Sequence, residues 1–288
     1  MAKANKPFVI ACIPAYNEEA TIAKVIIQAQ KYVDKVILCD DGSNDYTGLI
    51  AERLNAEVIR HERNLGYGSA IRSLFLKARE LKADVIVTID SDGQHDPNEI
   101  PKLIKLILSG EADLVIGSRF MEGAGDESSI VRKTAIKGVT KVVGVGEVKD
   151  SQSGFRAYNR KAIEAITPTE QGMGVSTEIL MKANQIGLKI IEVPITVKYK
   201  GIRKSTQNPI FHLGDVLAST LKHISIRHPL IFYGTPAIIL FLIGVFSASM
   251  TMKLYLAKGY FSIPFTLLAA IFLISSLLLF FTAVILFT

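Results

Sequence analysis

The sequence predicts an α/β domain, a mainly parallel and helix-covered sheet, followed by a transmembrane helical hairpin. Three observations carry this expectation. From Phe8 to about Gly117 short apolar runs alternate with longer amphipathic ones, the pattern of successive strand–helix units. Ile231 to Met250 and Ile263 to Thr288 contain no charged residue, and each is long enough for one bilayer crossing of about 20 residues. The 288 residues carry a formal net charge of +6, and basic residues crowd the flank before the first apolar stretch.

Strands are expected at Phe8–Ile13, Lys35–Cys39, Glu57–Arg60, Val85–Ile89 and Leu114–Ile116, each short and mostly β-branched or apolar. Helices are expected between them at Glu19–Tyr32, Tyr46–Leu54, Ser69–Leu81 and Asn98–Leu108. Beyond a glycine-bearing, charged segment, Met121–Glu127, the pattern predicts a helix over Arg132–Gly146 and an extended run over Ser153–Asn159. A helix over Ser176–Ile186 and an alternating strand over Ile190–Tyr199 follow. In Pro209–His228, Phe211, Val216, Leu217, Leu221 and Ile224 are interspersed with Asp215, Lys222, His223 and Arg227. Such an amphipathic segment lies in a membrane interface or packs on the globular domain. Thr251–Ser262, with Lys253, Tyr255, Lys258, Tyr260 and Phe261, reads as a short interfacial turn between two crossings. The expected organisation is a globular domain over 1–208, an amphipathic helix over 209–229 and two transmembrane helices over 230–288. A buried hairpin in a soluble core is the alternative for the apolar stretches.

Charge and cysteine usage narrow the function classes. Lys198, Lys200, Arg203, Lys204, Lys222 and Arg227 precede the first apolar stretch, and positive flanks stay cytosolic. An integral membrane protein with its large domain in the cytosol is expected. The positive balance suits membrane lipid headgroups and phosphorylated ligands. No aromatic-interleaved basic repeat is present, so no nucleic-acid partner is expected. Met1–Lys6 followed by Phe8–Ala15 is a poor signal peptide, because Pro14 and Asn17-Glu18-Glu19 interrupt it. Cys12 and Cys39 fall on expected strands and read as buried, reduced thiols.

Chemistry concentrates where strands end, the place where ligands of such sheets bind. Asp90, Ser91, Asp92, Gly93 and Gln94 follow the strand ending at Ile89. Oxygen ligands spaced along a turn suit a hard cation such as Mg²⁺ or Mn²⁺, whose open positions phosphate oxygens can fill. The competing reading is a polar turn in which Asp96-Pro97 opens the next helix. Pro14–Glu18 and Asp40–Ser43 end two other strands, so one pocket can hold all three segments.

Ile-Pro-Ala-Tyr-Asn-Glu-Glu at Ile13–Glu19, Cys-Asp-Asp-Gly-Ser at Cys39–Ser43 and Asp-Ser-Asp-Gly-Gln-His at Asp90–His95 occur in that order. This set resembles the family 2 glycosyltransferases of the Rossmann-like GT-A fold. It looks closest to the dolichyl-phosphate mannose synthase and polyprenyl-phosphate glucosyltransferase branch. Gly117–Phe120, Asp150–Arg156 and Glu192–Ile195 extend the match across most of the globular part. The resemblance implies that Pro14, Ala15, Tyr16 and Glu18 bind the nucleoside and that Asp41 reads the base. It implies that Asp90, Ser91, Asp92 and Arg119 hold the nucleotide sugar, with Asp92 and Gln94 as metal ligands. Arg132, Lys200 and Arg203 resemble groups that grip the lipid phosphate, although Gly201–Thr206 departs from the mannose-synthase pattern. Asp150 would orient the acceptor or act as base; Glu178 is a second candidate, or only caps or braces its helix.

The implied reaction is metal-dependent, inverting transfer of a hexose from a nucleoside-diphosphate sugar of the GDP-mannose or UDP-glucose type. The acceptor is dolichyl or polyprenyl phosphate. A phosphate monoester has its second pKa near ~6, so its oxygen is largely ionised at neutral pH and a strong base is unnecessary. The alternatives are UDP-N-acetylhexosamine transfer to the same lipid, or a non-catalytic membrane-anchored regulator. The transmembrane helices also offer a surface for homo-oligomerisation. Gly-x-Ser-x-Gly and Gly-x-Gly-x-x-Gly signatures are absent, and with no tryptophan the chain lacks the Gln-x-x-Arg-Trp motif of processive synthases.

Overall fold

The computed structural model describes residues 6–121, 148–197, 225 and 229–287. Arg132, Lys200, Arg203, the expected helix over Arg132–Gly146 and nearly all of Pro209–His228 lie outside the described residues. The chain divides into two compact units, Met1–Ser219 and Thr220–Thr288.

The first unit is a seven-stranded sheet with helices on both faces. Strands β1 (Val9–Ala15), β2 (Lys35–Asp40), β3 (Glu57–Arg60) and β4 (Val85–Thr88) alternate with helices α1 (Ile22–Ala29), α2 (Thr47–Arg53) and α3 (Tyr67–Glu80). A 3₁₀ turn at Pro97–Glu99 leads into α4 (Ile100–Leu108), then β5 (Leu114–Ser118), β6 (Arg156–Asn159), α5 (Arg160–Ala165), α6 (Val175–Gln185) and β7 (Ile190–Pro194). The spatial order is β3-β2-β1-β4-β6-β5-β7. Pairings β1–β2, β1–β4, β2–β3 and β5–β7 are parallel, whereas β6 runs antiparallel to both β4 and β5.

Every residue of β1 is buried, as expected of a central strand covered on both faces. Alternate side chains serve two cores. Ile10 and Cys12 join Ile71, Leu74, Phe75, Ile163 and Ile179 on one face. Val9, Ala11 and Ile13 join Ile22, Ile26, Ala51, Ile100 and Leu103 on the other. Cys12 and Cys39 are free and buried, and burial pushes the Cys39 thiol up to about 12.

The direction of β6 matters for the site. Because it is antiparallel, the segment leading into it, Asp150–Phe155, arrives at the rim where β1, β2 and β4 end.

The second unit holds α7 (Gly234–Lys258) and α8 (Ile263–Phe287), with mean hydropathy 2.1 for Pro229–Lys258 and 2.7 for α8. Twenty-five residues at ~1.5 Å each exceed a bilayer core of about 30 Å. Thr251–Lys258, expected in the turn, continues α7. Nothing there breaks a helix, and the αL glycine that does, Gly259 (φ 59°), comes afterwards. Small residues at seven-residue spacing are buried in both helices, Ala237, Gly244 and Thr251 in α7 and Ala269, Ser276 and Ala283 in α8, which lets the backbones approach closely. Ser276 Oγ donates to the Ala237 carbonyl at 2.8 Å. Large apolar side chains such as Phe241, Leu256 and Ile285 are exposed in this unit.

Candidate active site

Loops following β1, β2, β3 and β4 are tied together at one rim of the sheet. Asn17, held in the left-handed region at φ 56°, donates its backbone N–H to Ser43 Oγ at 3.0 Å and accepts from Asn44 N at 2.8 Å. Glu18 N donates to Thr47 Oγ1 at 2.7 Å. Thr21 Oγ1 lies 2.8 Å from the Ser91 carbonyl and 3.0 Å from Glu18 Oε2. The three segments singled out in the sequence therefore do converge. Tyr16 and Glu18 sit half-buried in the first loop, whereas Pro14 and Ala15 are buried inside β1, paired with Cys39 and Asp40. They were expected in the loop; parallel pairing to β2 carries the strand two residues further.

Asp41 is 3% exposed. Its Oδ1 accepts from Leu65 N at 3.0 Å and lies 2.6 Å from His61 Nδ1; its Oδ2 accepts from Gly66 N at 2.8 Å. His61 Nε2 in turn lies 2.9 Å from Ser73 Oγ. Asp41 thus fixes the loop before α3. Gly42 (φ 75°) is required in the same turn, because a Cβ there would stand 2.5 Å from the Arg63 backbone.

The turn after β4 carries the carboxylates. Asp92 Oδ1 accepts from Gln94 N at 2.9 Å, so this half-buried carboxylate and the Gln94 amide share one tight turn. Asp96 caps the following 3₁₀ turn by accepting from Asn98 N, as the helix-opening reading expects. Asp90 accepts from Tyr67 Oη at 3.0 Å. Burial pushes the Tyr67 phenol well above its ordinary pKa, and the Asp90 charge adds to this, so the phenol stays a donor. His95 is buried against Phe155, ring centroids 5.4 Å apart, and burial lowers its pKa, with the Asp90 charge opposing. Among the described residues neither ring nitrogen completes a hydrogen bond, a situation that costs about 1–3 kcal/mol for a buried polar group.

Gly154 packs directly on Asp90: a Cβ at that position would lie 2.5 Å from both carboxylate oxygens. Gly154→Ala is expected to displace Asp90 and lower kcat/KM by about 100-fold, the scale of a 1 Å misplacement at a reacting centre. Measuring kcat/KM beside the melting temperature checks this, and wild-type turnover in a folded variant would refute it.

Arg119 and Asp150 form a buried bidentate pair, Nε–Oδ2 2.7 Å and Nη2–Oδ1 2.6 Å, with Arg119 N also donating to Oδ2. Asp150 is 0% exposed, and its own N–H donates to Glu192 Oε1 at 2.9 Å. The expectation that Asp150 orients the acceptor or acts as base meets a carboxylate sealed by a guanidinium; it orients Arg119. Arg119 itself is buried.

Glu178 is placed as a brace, the alternative the sequence left open for it. It accepts from Thr169 N, Thr169 Oγ1, Glu170 N and Lys182 Nζ, bracing the segment whose Gln171 carbonyl accepts from Gly68 N at the start of α3. Burial raises its pKa, but Lys182, Thr169 and Glu170 outweigh that and hold the carboxyl below its usual range. A depressed folded pKa adds stability above the unfolded value of about 4.3, lost as pH falls through the folded value. Glu178→Gln should therefore lower the melting temperature at pH 7 by several degrees, roughly 2–4 °C per kcal/mol lost. The gap between the two proteins should close below about pH 4; a gap independent of pH in melting curves would refute this.

Sequence reasoning missed Tyr67, His61 and Glu192 as supports of the rim. Glu192 and His95 stood inside quoted motifs, which was the available signal.

The family described as glycosyl transferase family 2 matches residues 10–167. A Methanococcus voltae protein named UDP-N-acetylglucosamine–dolichyl-phosphate N-acetylglucosaminyltransferase is 35% identical over 211 residues, 65% of this chain and 84% of that protein. The dolichol-phosphate mannosyltransferase of Pyrococcus furiosus is 32% identical over 228 residues, 74% of this chain and 61% of that protein. Among solved structures, glucosyl-3-phosphoglycerate synthase from Mycobacterium tuberculosis in complex with Mn²⁺ and UDP-glucose gives a TM-score of 0.60 at 26% identity, covering 77% of this chain and 79% of that one.

Proposed function

The chain belongs to glycosyl transferase family 2, and from that premise we propose that it transfers a sugar from a nucleoside-diphosphate donor to dolichyl or polyprenyl phosphate at a membrane. Its first unit is a GT-A-like α/β domain and the protein is a glycosyltransferase. The observation that carries the reading is the hydrogen-bonded convergence of the β1, β2 and β4 loops on Asp90–Gln94. A structurally similar enzyme has been solved with Mn²⁺ and UDP-glucose.

The residues present fit a divalent cation. Asp92 offers a carboxylate and Gln94 an amide carbonyl on one turn, a hard-oxygen set. Among the described residues no cluster of three or more His, Cys, Asp or Glu forms a metal cage, in keeping with a cation that takes one or two protein oxygens and completes its shell with phosphates and water. When bound, Mg²⁺ or Mn²⁺ offsets charge developing on the leaving diphosphate. Asp90 accepts from the donor sugar, Tyr16 and Glu18 line the nucleoside side, and Asp41 stands beside them. Arg119, aligned by Asp150, adds positive charge near the diphosphate. The acceptor phosphate arrives as an anion, so no strong base is required. Arg132, Lys200 and Arg203 are proposed to grip it.

A second reading concerns the donor. The relative at 35% identity is named for UDP-N-acetylglucosamine and the one at 32% for mannose, so UDP-N-acetylhexosamine stands beside GDP-mannose and UDP-glucose.

Each buried CH₂ of a lipid contributes about 0.8 kcal/mol, so a long polyprenyl phosphate stays in the bilayer. α7 and α8 are proposed to anchor the chain there, with the first unit on the cytosolic side. Deleting 231–288 should leave a soluble domain that still binds donor and metal, loses most transfer to long-chain lipid and transfers better to a short, water-soluble prenyl phosphate. Undiminished glycosylation of the long lipid in membranes would refute the anchoring role. A cysteine placed at Lys258 should react with an impermeant thiol reagent added outside intact cells; protection there would reverse the orientation.

A further inference from the structure

A carboxylate that must meet a substrate in one orientation needs donors that fix it beforehand. Asp90 has one such donor in place and a second polar group just beyond hydrogen-bond reach. Tyr67 Oη donates to Oδ1 at 3.0 Å, and His95 Nδ1 stands 3.5 Å from Oδ2. Gly154 closes a third side with no room for a side chain.

The two groups come from separately anchored elements. Tyr67 opens α3, whose start is held by the Gln171 carbonyl accepting from Gly68 N at 2.7 Å. His95 lies in the turn after β4, its backbone bridged to Val197 and its ring against Phe155. The imidazole is 6% exposed, and among the described residues both its nitrogens are without a hydrogen bond. Movement of about half an ångström brings Nδ1 within hydrogen-bond reach of Oδ2. Asp92, in contrast, receives the backbone N–H of its own turn.

We propose that Tyr67 and His95 are positioning residues that hold Asp90 as a pre-aimed acceptor for a donor-sugar hydroxyl, leaving the cation to Asp92 and Gln94. This deepens the proposed function and rests on its assignment of Asp90–Gln94 to the donor.

The test uses the full chain in membranes with whichever of UDP-N-acetylglucosamine, UDP-glucose and GDP-mannose the wild type turns over, and Mn²⁺ binding measured separately with the matching nucleoside diphosphate. Tyr67→Phe should lower kcat about tenfold or more, as loss of a partner that orients a reacting group does, with Mn²⁺ and nucleotide affinities within about twofold of wild type. His95→Asn, which keeps an N–H near the Nδ1 position, should retain more activity than His95→Leu. In an Asp90→Asn background, adding Tyr67→Phe should change kcat by less than about twofold, because interacting residues are not additive. Full additivity in that background overturns the proposal. So does near-wild-type turnover of Tyr67→Phe and His95→Leu while Asp92→Ala is inactive. Full activity of Asp92→Ala would overturn the donor assignment itself, and the proposal with it.

Discussion

Asp92→Ala should abolish turnover while leaving the fold intact. Asp92 is half-buried on the turn after β4, where its Oδ1 accepts from Gln94 N of the same turn. Losing a bond of that kind costs about 0.5–1.5 kcal/mol, a modest change for the unit. The effect on chemistry is far larger. A cation bound at an oxygen-rich turn is expected to supply several kcal/mol of charge stabilisation in the transition state, and each 1.36 kcal/mol is about tenfold in rate. A loss on the order of 10³-fold in kcat follows from those two figures, with melting unchanged within a few degrees. Activity close to wild type at saturating Mn²⁺ would remove the metal from this turn.

Asp150→Asn should be among the most destabilising single changes in the first unit. It leaves Arg119, buried at 8% exposure, without the carboxylate that accepts from its Nε and Nη2. Removing one partner of a buried pair costs about 3–5 kcal/mol, because the remaining charge is stranded. At roughly 2–4 °C per kcal/mol, the melting temperature should fall by about 10 °C. Replacing both partners with apolar residues, Asp150→Leu with Arg119→Met, should recover much of that stability, although not activity if Arg119 acts on the diphosphate. Were Asp150 instead the general base, Asp150→Asn would abolish kcat with the melting temperature nearly unchanged. Thermal melts and kinetics on the same three proteins separate these outcomes.

What the sequence revealed and what it hid follow from the range of the interactions. Strands β1, β2 and β4 were legible because their side chains are mostly apolar and buried on both faces; β3 falls at Glu57–Arg60 as expected, although only its central Val58 and Ile59 are apolar. Element ends moved where distant groups intervene. α1 begins at Ile22, not Glu19, because the N–H groups of Glu18 and Glu19 bond to Thr47 and Asp45 across the rim. α3 begins two residues early, at Tyr67, because Gln171 caps it from more than a hundred residues away. The short α5 was missed; its cap, Asn159 accepting from Ala162 N, looks like the end of the preceding strand. The direction of β6 is set by pairing with β4 and β5, which no local pattern encodes. The ordered motifs pointed to Asp90, Asp92 and Gln94, since ligands of such sheets gather at strand ends. The partners of those residues, Tyr67 for Asp90 and His61 for Asp41, lie 20 or more positions away and carry no signal of their own.

The most direct test of the central claim is a transfer assay in membranes containing the full chain. Donors labelled in the sugar, UDP-N-acetylglucosamine, UDP-glucose and GDP-mannose, would be incubated with polyprenyl phosphate and Mn²⁺, and the lipid extracted into organic solvent. The account predicts that one donor delivers label to the lipid as a sugar monophosphate in the opposite anomeric configuration. It also predicts that chelation by EDTA, or Asp92→Ala, stops the transfer. Label that stays in the aqueous phase with every donor, or transfer that continues undiminished in EDTA and in Asp92→Ala, would contradict it.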